Sequence, residues 1–308
     1  MAESTGSTVA KETLKDAIVS FLRDYSIEAT PHDAGKLDSF KEVLAPGTAV
    51  YVAHPPGVEL DVIVELAARI QKMGYKAVPH LISRKMSSVA QLERALATLQ
   101  EAGVDHALVL GGDIAVENAA FDSSLELLET GLLEKHGFRK VGVAGHPEGS
   151  KAIGEERVKQ ALEGKAAFAK RAPFEMRIVT QFGFDPDAFT SWEAETTAAG
   201  VTLPVHVGFP GPTSLKQLMR FAALCGIGSS TRMLMNRTGA MANLLRTQAP
   251  DEMITHIARH RLSHPASRLV KAHFFCFGGV VKTARWANSV IAGQFELNAE
   301  ATGFEVKS

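Results

Sequence analysis

Short apolar runs rich in β-branched side chains recur along the chain. They are separated by stretches whose apolar residues return every three or four positions. Eight runs read as strands: YSIEA at 25–29, AVYVA at 49–53, KAVPH at 76–80 and HALVL at 106–110, then KVGVAG at 140–145, RIVTQ at 177–181, LPVHVG at 203–208 and AHFFCF at 272–277. The intervening segments carry helix punctuation. SSVAQLERALATLQEAG places Val89, Leu92, Leu96 and Leu99 on one face, opens with the capping-box pair Ser88 and Gln91, and stops at Gly103. DPDAFTSWEAETTAAG takes Asp185 as its N-cap and Pro186 at the first helical position, and ends at Gly200.

Strand and helix therefore alternate throughout, without a Gly/Ser/Pro linker or a repeat of fixed period. The pattern predicts an α/β fold, a single (β/α)8 TIM barrel over residues 11–300, rather than two doubly wound halves. The runs are apolar at nearly every position, as strands buried on both faces should be. Residues 1–10 read as a mobile N-terminal tail and 301–308 as a C-terminal tail. The widest gap, 209–271, must hold two or more helices, with a long one near 238–262.

Composition narrows the function classes. Of 308 residues 45% are hydrophobic and 22% charged, and the net charge is -1, so nothing pulls the chain towards nucleic acid or an anionic membrane. Cys225 and Cys276 lie far apart, which excludes a disulfide framework and a cysteine zinc site and fits a reducing cytoplasm. No run is long enough to span a membrane, and the first residues have no apolar core of a signal peptide. A cytoplasmic protein is expected, with apolar helices in its second half that leave a homo-oligomer open.

In such a barrel the chemistry gathers where strands end. Glu28 closes the first run, His54 follows the second, His80 ends the third, Asp113 follows the fourth, His146 and Glu148 follow the fifth, and Gln181 ends the sixth. Each alone is an ordinary rim residue; six of eight strand ends carrying such groups point to an active site. No G-x-S-x-G, Cys/His pair, P-loop or G-x-G-x-x-G is present. His256, His260 and His264 share a helix face at four-residue spacing, but no glutamate completes an H-E-x-x-H motif, and a solvated basic face with Arg259 and Arg261 is the reading kept; no metal is expected. What remains is acid/base work on an organic substrate with an organic cofactor.

The series SIEATP, VPHLISR, LGGD, GVAGHPE, VTQFGFD and VGFPGPTSLKQLMRFAALCGI, closing with HFFCFGG, resembles the methylenetetrahydrofolate reductase family over roughly residues 20–290. The resemblance implies a barrel that binds FAD and reduces 5,10-methylenetetrahydrofolate with NADH or NADPH. It implies that Glu28 is the general acid protonating the folate, that Asp113 lies between flavin and pterin, that Gln181 hydrogen-bonds the pterin, and that Phe221 packs on folate and on the nicotinamide cofactor. It also places Ala53, His80, Gly111, Gly112, Ala144, His146 and Lys170 around the FAD, Lys170 near its phosphates.

The chain departs from the family at several contacts. Gly111 replaces the arginine of an LRGD element, His146 a tyrosine, and Gly279 an arginine that touches folate, for which Lys282 is a stand-in one turn on. Val207, Gly208 and Phe209 stand where the family has PGI, and PPG at 55–57 replaces a TYG-like turn. Beside the flavin-dependent reductase, the sequence leaves room for a flavin-independent reductase and for a folate-binding barrel in non-redox one-carbon transfer.

Overall fold

The structure, a computed structural model, describes residues 2–112, 116–150, 153–225 and 247–307, with side chains from residue 10 onwards. Eight parallel strands close into a barrel: β1 (Ser26–Ala29), β2 (Ala49–Val52), β3 (Lys76–Ile82), β4 (His106–Leu110), β5 (Lys140–Gly145), β6 (Glu175–Phe182), β7 (Val205–Pro210) and β8 (Leu269–Phe275), each beside its neighbour in sequence and β8 beside β1. All eight expected runs are strands. The helices are α1 (Ala2–Leu22), α2 (Leu60–Lys72), α3 (Val89–Glu101), α4 (Ser124–Glu129), α5 (Leu132–Lys135), α6 (Glu155–Ala169), α7 (Pro186–Ala198), α8 (Leu215–Leu224), α9 (Asp251–Ser263) and α10 (Val280–Ile291). Among the described residues no helix is long and apolar enough to cross a membrane.

Local chemistry sets these bounds. The Ser88 side chain accepts from Gln91 N at the start of α3, and Asp185 accepts from Asp187 N and Ala188 N at the start of α7, as the sequence predicts. The long helix expected from 238 starts only at Asp251, because Thr247–Gln248 pairs with Thr213–Ser214 and Pro250, which has no N–H, precedes the first turn. Residues 226–246 lie outside the described residues.

Both expected tails carry regular structure. α1 starts at Ala2 and buries Leu14, Ile18, Phe21 and Leu22, spaced for one face, against α9 and α10. At the other end Phe304–Val306 pairs antiparallel with Phe295–Leu297, and the Phe304 ring stacks on Trp286 at 5.8 Å and lies 4.7 Å from Phe295. A three-residue strand is too short to register as a period, which hid this hairpin from the sequence pattern.

The core between strands and helices is one apolar cluster, and a second, smaller one fills the barrel: Tyr51, Val78, Leu108 and Val179. The parallel register carries the inward side around the sheet, through Glu28 beside Tyr51, His80 beside Leu108, Gly142 beside Arg177, His206 beside Lys271 and His273 beside Ser26. The interior is thus tiered, as barrel interiors are. Arg177, His206 and Lys271 lie where strands begin, the apolar plug lies in the middle, and Glu28, His80 and His273 lie towards the strand ends.

Candidate active site

Glu28 sits one residue before the end of β1, where the chain turns out under a hydrogen bond from Ala53 N to Ala29 O (2.9 Å). Only 9% of the residue is exposed. His80 Nε2 lies 3.4 Å from Glu28 Oε1 and His273 Nε2 lies 3.9 Å from the same oxygen. Both imidazole nitrogens are buried without a hydrogen-bond partner, so they face the carboxyl at ion-pair range but outside bonding geometry. His273 is fixed from behind by Ser26 Oγ, 3.0 Å from its Nδ1, and by the Tyr51 ring, 4.5 Å away.

Burial lifts the Glu28 carboxyl from 4.5 to about 6, and His80 offsets this only in part. Burial pushes His80 down to about 4 against the pull of Glu28. His273 falls to about 3, through burial and then the cations Lys271 and Arg177 below it. The three groups therefore divide their roles near neutral pH: two imidazoles stay neutral and the carboxyl is the one that exchanges a proton. Such separation suits a general acid.

The glycine edge stands beside this pair. Ser83 and Arg84, just past β3, hold Gly111 and Gly112: Arg84 N and Ser83 Oγ donate to Gly111 O (3.1 and 3.2 Å), and Arg84 Nη1 donates to Gly112 O (2.9 Å). Gly112 adopts a φ of +87°, and a Cβ there would come within 2.5 Å of Ile82. Gly111 instead opens on free space. Asp113 lies outside the described residues.

Across the mouth, β6 slips register between Val179 and Phe182, where Gly208 N donates to Thr180 Oγ1 (2.8 Å). The irregularity sets Gln181, whose Oε1 accepts from Phe182 N at 3.1 Å, at the strand end. Gly208 has no room for a side chain, since a Cβ would stand 2.5 Å from Thr180 O and 2.9 Å from the Phe275 ring. Gly208→Ala is expected to cost about 1–3 kcal/mol, seen as a lower urea midpoint at unchanged slope. Phe221, on α8, stacks on Phe277 at 4.1 Å, and Phe182 joins them 4.8 Å from Phe277. Lys282, in the first turn of α10, donates to Thr247 Oγ1 at 3.1 Å.

Other expected residues are spread differently. Ala53 follows β2 next to the end of β1, and Ala144 lies in β5 beside Val179. His146 lines a cavity between α6 and α7 with Trp192 and Glu148. Glu148 accepts from Phe184 N and Asp185 N (2.7 and 2.9 Å), so it shapes the loop after β6. Lys170 is exposed at the C-terminus of α6, five residues before β6 begins, which puts it towards the end of the barrel opposite Glu28. It is not brought together with the other expected FAD contacts. The histidine row of α9 is also not a bare solvated face: His260 Nε2 lies 3.0 Å from the buried Glu193, and His264 stacks on His260 at 4.3 Å.

The sequence pattern missed His273, Ser26 and Tyr51, all part of the Glu28 surroundings. A signal was present, since KAHFF sets the polar Lys271 and His273 two positions apart, which is the spacing of one face of a strand.

The sequence model of the methylenetetrahydrofolate reductase family matches residues 41–264, most of the chain. The chain belongs to the methylenetetrahydrofolate reductase family. It is 28% identical over 200 residues to methylenetetrahydrofolate reductase (NADH) 1 of Zea mays, covering 56% of this chain and 33% of that protein. It is 26% identical over 162 residues to 5,10-methylenetetrahydrofolate reductase of Pectobacterium carotovorum subsp. carotovorum, covering 51% of each. The aligned part thus amounts to a third of the plant relative and half of the bacterial one. Among solved structures, dihydropteroate synthase from Thermus thermophilus is similar at a TM-score of 0.44 and 14% identity, covering 87% of this chain and 92% of that one, a level that carries no functional weight.

Proposed function

We propose that this member of the family reduces 5,10-methylenetetrahydrofolate to 5-methyltetrahydrofolate with NADH or NADPH, and that Glu28 is the general acid. One observation carries the reading: a carboxyl at the barrel mouth, buried, raised to about 6 and flanked by two imidazoles that stay neutral. A bridging amine is a poor leaving group until protonated. Proton donation by Glu28 to the folate N10 opens the bridge, and the iminium carbon left on N5 is the hydride acceptor. Gln181, at the end of β6, is suited to hydrogen-bond the pterin edge. Phe221 offers an aromatic surface to the aminobenzoyl ring, and Lys282 stands at the rim where a family arginine is absent.

The residues at the mouth fit a flavin. Gly111 faces open space where any other residue would place a Cβ, which lets a flat ring approach the backbone, and His80 Nε2 is a buried polar atom without a hydrogen-bond partner. The chemistry that FAD supplies when bound is the relay of a hydride from nicotinamide to folate. Ala53, His80, Gly111, Gly112, Asp113, Ala144 and His146 are the residues proposed to hold it. Arg84, bonded to Gly112 O, brings a cation to the loop that Gly111 leaves without one. Lys170 is not retained for the phosphates, given its place at the far end of α6.

The flavin half has a direct test. The purified protein should show the visible absorbance of an oxidised flavin, bleached by NADH or NADPH and restored by 5,10-methylenetetrahydrofolate. A colourless protein that reduces the folate equally well with and without added FAD would overturn the flavin assignment and leave a flavin-independent reductase.

A further inference from the structure

At the end of the barrel opposite Glu28, the strand starts surround a cavity of about 640 Å3. Five cations line it, Arg23, Lys76, Lys140, Arg177 and Lys271, against two carboxylates, Asp24 and Glu175, an excess of three positive charges. Glu175 is engaged by Lys140 at 3.0 Å, and Asp24 acts on Lys271. The remaining cations are not balanced within the cavity.

The innermost groups are built in rather than merely exposed. Arg177 is 8% exposed, points into the barrel from β6 and donates from Nε to the Tyr51 hydroxyl at 3.2 Å. His206, next to Lys271 in the register of β7 and β8, has a buried Nδ1 with no hydrogen-bond partner. Burial lowers the His206 pKa well below its usual value, and the cations Arg177, Lys271 and Lys140 lower it further. Burial likewise lowers Lys271, with Arg177 the next cause. Like charges are thus held together at a cost that a bound anion would relieve.

We propose that this floor of the barrel is a binding site for a phosphate group, with Arg177 and Lys271 as its charged donors, His206 as a hydrogen-bonding partner and Lys140 at its rim. A fork of guanidinium and ammonium groups suits a tetrahedral oxyanion. The site is separated from Glu28 by the apolar plug and does not depend on the reductase reading.

Inorganic phosphate, titrated calorimetrically into the full-length protein at constant ionic strength against chloride, tests the proposal; methyl phosphate in a parallel arm separates a free ion from a monoester. Saturable phosphate binding is expected, weakened roughly tenfold or more by Lys271→Met and weakened also by Lys140→Met, a half-buried position at the rim. Glu28→Gln should leave it unchanged. Preference for methyl phosphate would identify a monoester as the occupant, and preference for phosphate the free ion. No saturable response beyond chloride to either probe, or a response kept in full by both lysine variants, overturns the site.

Discussion

Glu28→Gln should lower nicotinamide-dependent reduction of 5,10-methylenetetrahydrofolate by about 10²–10⁴-fold, the range that positioned proton donors supply. The amide keeps the size and the neighbours of the acid but has no proton to give. The pH dependence sharpens the expectation. With the carboxyl raised to about 6, wild-type kcat/KM for the folate should be level below that pH and fall about tenfold per unit above it, and Glu28→Gln should lack this limb. Stability should move the other way. A carboxyl whose folded pKa is raised contributes stability that is full below its unfolded value and is lost as pH rises through about 6. At pH 8 Glu28→Gln should therefore be more stable than the wild type by up to about 2 kcal/mol. A purely structural carboxylate would give the opposite sign, so a variant that is both slower and less stable would argue against the assignment.

The second large effect concerns stability alone. Glu193 on α7 is buried and gathers Ser267 Oγ at 2.9 Å, His260 Nε2 at 3.0 Å and the backbone N–H of Arg268, tying α7 and α9 to the start of β8. Glu193→Ala leaves these donors without their acceptor and should cost about 3–5 kcal/mol. For a chain of this size that is a drop of roughly 5–8 °C in Tm. Calorimetry of the variant checks it, and a loss within about 1 kcal/mol would show that water replaces the carboxylate.

The barrel was legible because its eight runs are apolar, short and separated by helices with readable caps such as Ser88 and Asp185. Glu28 was legible because it is a lone acid at the end of such a run, and Gln181 because it ends another. The interior tiers were harder. Arg177, His206, Lys271 and His273 alternate with apolar neighbours that face the helices, so a run counted as apolar overall concealed a polar inward side. The partners across the barrel, such as Arg177 with Tyr51, are 126 positions apart and meet only through closure of the sheet. Lys170 is the converse case. Its match to a family position says nothing of which end of α6 it occupies, and the helix, running about 22 Å back along the barrel, carries it away from the mouth.

The same tiers connect fold to chemistry. Lys271 and Arg177, below the plug, contribute to keeping His273 neutral, and a neutral His273 leaves Glu28 as the group that carries the proton. In the proposed reaction that proton is the one Glu28 delivers at the mouth.

The most direct test of the account is a product measurement. The purified protein, supplied with FAD, NADH or NADPH and 5,10-methylenetetrahydrofolate, should form one 5-methyltetrahydrofolate for each nicotinamide oxidised, resolved by chromatography. Folate that binds without nicotinamide oxidation, or whose one-carbon unit passes to another acceptor with no 5-methyltetrahydrofolate formed, would contradict it.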